Sequence, residues 1–151
     1  MEIQQVPNKN AAYLLALTMV VNSSFLAIVS SFVPGIWFAT WFFIVASCTI
    51  CYSLVVPRSP AFSPSMKKPS VAFVVGFLPF VIMLAFRLLF AKGDHSHFDD
   101  YVIIFLPIAL LLGASGFFYY KSTSGNKFFN LGIGVLCTLI ATVYFFFLFL
   151  W

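Results

Sequence analysis

Residues 70–91 read SVAFVVGFLPFVIMLAFRLLFA, a run in which the single charge, Arg87, stands near the end. The hydrocarbon core of a bilayer is about 30 Å thick and needs about 20 helical residues to cross. Lipid offers no partner to a free N–H or C=O, so an apolar run of this length must satisfy its backbone internally as a helix. This stretch therefore predicts a transmembrane span, and similar runs occupy 12–32, 36–56, 101–120 and 128–151.

The resulting expectation is an all-α, polytopic integral membrane protein, a bundle of five transmembrane helices forming a single domain over residues 1–151. The first two runs are almost contiguous. One helix from 12 to 56 would rise roughly 68 Å at ~1.5 Å per residue, more than twice the core. The chain must turn, and Pro34-Gly35 is the place, because proline removes a backbone donor and glycine permits turn dihedrals. The alternative is four spans plus one interfacial helix.

Composition agrees with the membrane class. Of 151 residues, 62% are apolar and only 8% charged, against about a quarter charged in soluble domains; the mean hydropathy is +1.05. The net charge of +4 comes from eight scattered basic residues, which form no nucleic-acid-binding stripe. Cys48, Cys51 and Cys137 all fall inside apolar runs, which excludes an extracellular disulfide framework. The N-terminus carries one lysine before a run longer than the ~7–15 residues of a signal-peptide core, so it is expected to be a retained first span.

Charge placement orients the chain. Five spans put the N-terminus and the 57–69 and 121–127 loops on one side, with Lys9, Arg58, Lys67, Lys68, Lys121 and Lys127. The other side holds Lys92, with Arg87 nearby. The positive-inside rule makes the first side cytoplasmic and the C-terminus lumenal or extracellular. Trp37, Trp41, Tyr101 and Trp151 fall toward the second side and Tyr13, Tyr52, Tyr119 and Tyr120 toward the first, at the headgroup levels that amphipathic rings prefer. The loop PRSPAFSPSMKKP at 57–69 has four prolines and three serines, and reads as a semi-extended linker. Residues 121–127, KSTSGNK, read as a polar turn.

Polar residues within spans are candidates for function. Arg87 lies about one turn from the end of its span, where its stem carries the guanidinium to the interface and toward the acids at 94–100. Thr18 and Asn22 share a face in the first span, suited to interhelical hydrogen bonding or, alternatively, to lining a polar path. Small residues recur at four-residue spacing in Ser23-Ala27-Ser31, in Ala109-Gly113 with Gly116 beyond, and in Asn130 with Gly134, which permits close helix approach. Pro79 and Pro107 each leave one carbonyl without its helical donor and bend their helices. Cys48-Thr49-Ile50-Cys51 places two thiols on one helical face. Membrane quinone reductases resembling vitamin K epoxide reductase use such a pair, but this chain lacks the additional loop cysteines of that family.

Residues 92–101, KGDHSHFDDY, hold both histidines and three of the four acids. Asp94, His95, His97 and Asp99 are donors of the kind that bind Zn²⁺. The strong zinc signatures use two separated ligand pairs, and this is one short cluster. The reading preferred is a hydrated acidic turn whose histidines titrate near pH 6.5. No cofactor is implied.

The hairpin LAFRLLFAKGDHSHFDDYVIIFLPIALLLG, residues 84–113, resembles the helix, short acidic turn, aromatic and F-[IL]-P pattern of the transmembrane Fragile-X-F-associated proteins. It covers about a fifth of the chain. The tryptophans usual at the start of that family's second helix are absent, with Phe98 and Tyr101 near their place, and residues 1–60 show no match. The resemblance implies a polytopic membrane protein without an established enzymatic role.

These readings converge on a small multi-pass protein whose partners are the lipid bilayer and other membrane proteins or a second copy of itself. The role expected is that of a non-enzymatic accessory, assembly or trafficking component of a membrane complex. The alternatives are an oligomeric channel or carrier for a small solute or ion, lined by Asn22, Thr18 and Arg87, and a membrane redox enzyme using Cys48 and Cys51.

Overall fold

The computed structural model describes residues 21, 36–60, 62, 64, 67–90 and 98–150. Four α-helices follow in chain order: α1 (Ile36–Val55), α2 (Pro69–Phe90), α3 (Phe98–Lys121) and α4 (Lys127–Leu150). Among the described residues there is no strand. Segments in α2, α3 and α4 are long and apolar enough to cross a membrane, namely Pro69–Phe86, Val102–Lys121 and Lys127–Leu148, while Ala39–Val55 of α1 is a shorter apolar stretch. The described chain is therefore all-helical, and three of its helices have the length and apolarity of membrane spans. The expected span at 12–32 lies outside the described residues apart from Val21, which is helical.

Local chemistry explains the helix ends. Pro69 opens α2, where a missing N–H costs nothing and its fixed φ suits the first turn. Helix α3 begins at Phe98, so Asp99 and Asp100 belong to its first turn. That corrects their expected place in the 92–100 loop. Free N–H groups and the helix dipole favour carboxylates at that end. Lys121 closes the same helix at the dipole's negative end.

Neighbouring helices run antiparallel. Gly76 meets Leu112 and Gly116 meets Ala72 across α2 and α3; Gly134 meets Tyr119 across α3 and α4. The α2–α3 interface is the most extensive, α3–α4 is next, and α1 packs on both α2 and α3. The larger core cluster is aromatic at its heart, with Trp41 4.5 Å from Phe80 and Phe42 stacked at 4.4 Å on Phe145 between ring centroids. A second cluster of Tyr52, Val56, Ala72, Val75 and Tyr120 lies toward the other end. Phe62 packs against it. One ring of the proline-rich loop thus rests on the bundle. An aromatic side chain in a polar loop gains from covering apolar surface wherever the loop can reach it.

Candidate functional site

Three glycines bring α1, α2 and α3 into contact. A Cβ at Gly76 would stand 2.6 Å from the Leu112 oxygen, and one at Gly116 would stand 2.6 Å from the Ala72 oxygen. Real Cβ atoms do not approach so closely, so only hydrogen fits and the two backbones touch. Weak Cα–H···O contacts of this reciprocal kind recur at helix interfaces. Gly113 lies under the ring of Phe73, where an added Cβ would be 2.8 Å from Cε2.

Thr49 of α1 wedges between these two crossings. Its Cγ2 would meet a Cβ at Gly116 at 2.8 Å and one at Gly76 at 3.0 Å, and the residue is fully buried. Its hydroxyl donates to the Val45 oxygen one turn back at 2.8 Å, and Ser53 donates to the Thr49 oxygen at 2.6 Å. Ser115 and Ser122 likewise donate to Leu112 and Tyr119 of their own helix. These four are the buried serines and threonines among the described residues. Each satisfies its hydroxyl locally, so they line no continuous polar track.

Two tyrosines lock α3 to α4. Thr138 gives its only hydroxyl proton to the Gly134 oxygen at 2.9 Å, so the 3.2 Å contact with Tyr119 is one in which the tyrosine donates. At the opposite end the Tyr144 hydroxyl donates to the Ile103 oxygen at 2.9 Å. That carbonyl is the one four residues before Pro107, whose ring nitrogen has no hydrogen to offer. Tyr144 therefore supplies, from a neighbouring helix, the bond that proline took away.

The sequence-derived candidates separate into three groups. Thr18, Asn22, Asp94, His95 and His97 lie outside the described residues. Arg87 is in the last turn of α2 and Asp99 in the first turn of α3, which brings them to the same end of the bundle. Among the described residues no group of three or more metal-ligating side chains occurs. Cys48 is half-buried and Cys51 exposed, both as free thiols. Cys48 lines a shallow groove of about 380 Å³ with Thr40, Phe43, Ile44 and Ser47. All five residues belong to α1, so among the described residues the groove is relief on one helix.

Sequence reasoning found Gly113 and Gly116 by their spacing. It missed Gly76 and Thr49. The signal for Gly76 was a solitary glycine inside an apolar helix, which has a packing reason more often than not. The signal for Tyr144 was a tyrosine placed to meet the carbonyl that Pro107 orphans, visible only once α3 and α4 are set side by side.

The basic residues gather at one end. Antiparallel packing brings Arg58 after α1, Lys67 and Lys68 before α2, Lys121 at the end of α3 and Lys127 at the start of α4 to the same end of the bundle. Comparison of the chain with family models, with curated proteins and with solved structures finds no match.

Proposed function

We propose that this chain is a small multi-pass membrane protein that acts through helix contacts, as a non-enzymatic accessory, assembly or trafficking component of a larger membrane complex. The observation that carries the reading is the contrast between interior and surface. The interior is filled by aromatic stacks, glycine crossings and serine and threonine hydroxyls that bond to nearby backbone carbonyls. The surface of α4 is broadly apolar, with Phe128, Phe129, Val143 and Phe147 exposed. A helix that turns so much apolar surface outward is suited to lipid or to a neighbouring helix, and in lipid helix association runs on packing and polar contacts rather than on hydrophobic burial.

The threading proposed has five spans, with the helix at 12–32 added to the four described, a cytoplasmic N-terminus and a lumenal or extracellular C-terminus. The lysine-rich end supports it through the positive-inside rule. The resemblance of residues 84–113 to the transmembrane Fragile-X-F-associated proteins agrees with a polytopic, non-enzymatic role.

The test is chemical crosslinking in native membranes followed by sizing in mild detergent. A larger species containing other membrane proteins is expected, and recovery of a lone monomer would count against the proposal. The channel reading draws less support, because the described helices leave a packed interior between them. It makes its own prediction, that reconstituted flux falls in Asn22→Leu or Arg87→Leu.

A further inference from the structure

We propose that the lysine-rich end of the bundle is a binding site for the phosphate headgroups of anionic phospholipids in the adjoining leaflet. This rests on the embedding of the helices in a membrane and is independent of the accessory role.

Three observations converge there. First, Arg58, Lys67, Lys68, Lys121 and Lys127 come from two connecting segments that are far apart in sequence, and the antiparallel contacts of Gly76 with Leu112 and Gly134 with Tyr119 bring those segments to one end. Second, residues 56–68 and 121–127 contain no aspartate or glutamate, and Asp99 and Asp100 open α3 at the opposite end. The cations have no internal counter-ion in the segments that carry them. Third, the 122–125 turn is closed by its own hydrogen bonds. Ser122 and Thr123 donate to the Tyr119 and Tyr120 oxygens, and the backbone N–H groups of Ser124 and Gly125 donate to the Lys121 oxygen. The turn is therefore held in shape while its lysines remain directed outward, with Lys121 and Lys127 both exposed.

The geometry suits a lipid better than a free ion. Phe128 and Phe129 follow Lys127 directly and are 88% and 65% exposed, so an acyl chain can lie on the rings while its phosphate meets the ammonium groups. Lys121 also has its Nζ 4.9 Å from the Phe117 ring centroid, its stem lying along the apolar flank of α3. Polybasic clusters at a membrane surface attract anionic lipid, and the attraction weakens with salt.

The test uses the full chain in neutral detergent, titrated with short-chain phosphatidylinositol 4,5-bisphosphate and followed by native mass spectrometry. Phosphatidylcholine is the neutral control and inorganic phosphate the soluble competitor. The double variants Lys67→Gln/Lys68→Gln and Lys121→Gln/Lys127→Gln should each bind the anionic lipid roughly 25-fold more weakly, at about fivefold per lysine. Lys92→Gln should bind as the parent does. Raising ionic strength should weaken binding to the unsubstituted protein, which checks the site without any variant. Equal binding of phosphatidylcholine, unchanged affinity in both double variants, or displacement of the lipid by an equal concentration of inorganic phosphate would overturn the proposal.

Discussion

Replacing Tyr144 by phenylalanine removes one hydroxyl and leaves the Ile103 carbonyl without its donor from α4. In α3 that oxygen has no donor from residue 107, and Tyr144 reaches it at 2.9 Å from α4. Water would take over the role at a soluble surface. Ile103 stands at the start of the apolar segment Val102–Lys121, where the headgroup region gives way to hydrocarbon, so water replaces the tyrosine only in part. Interhelical hydrogen bonds in membranes contribute about 0.6–2 kcal/mol, and Tyr144→Phe is expected to cost about 1 kcal/mol. The decisive comparison is a double-mutant cycle with Pro107→Ala. Alanine restores an N–H at position 107, the Ile103 oxygen gains its own helical donor, and Tyr144→Phe should then cost roughly half as much or less, since a second lone pair can still accept. Unfolding from lipid-detergent micelles, followed by tryptophan fluorescence, measures all four proteins. An equal cost of Tyr144→Phe in both backgrounds, or no cost in either, would refute the idea that tyrosine replaces the donor that proline lacks.

Gly76→Ala and Gly116→Ala should each destabilise the bundle by about 1–3 kcal/mol in the same assay, because the new Cβ would meet a backbone oxygen at 2.6 Å. Gly132→Ala, with nothing within 4 Å of its Cβ, should be neutral or stabilising by up to about 1 kcal/mol through helix propensity. Thr49→Val keeps the shape of the wedge and loses only a hydroxyl that bonds within its own helix, so a change under about 1 kcal/mol is expected, whereas Thr49→Leu should cost more by overpacking. Maleimide labelling in membranes should modify the exposed Cys51 before the half-buried Cys48, and the reverse order would contradict the packing of α1. Isothermal titration with Zn²⁺ should give the same heat trace for the parent and for His95→Ala/His97→Ala, as a hydrated acidic turn requires.

Hydropathy and charge alone mark where long apolar helices suited to a bilayer run, which of them carry prolines, and which connections carry the lysines. Those properties sum along the chain: a span is a window of apolar residues with its backbone satisfied internally, and residues 70–91 or 128–151 announce themselves without reference to anything else. The start of α3 slipped by three residues because Asp99 and Asp100 look like loop chemistry and yet are favoured in a first helical turn. What only the tertiary structure decided is which faces meet. A helix apolar on every side carries no stripe that says where its neighbour lies, so the seating of Thr49 between Gly76 and Gly116, the docking of Phe62 from a proline-rich loop, and the reach of Tyr144 to the carbonyl that Pro107 left bare depend on shape fitted between helices. In lipid that fit, rather than the apolar character of any one residue, separates one packing from another.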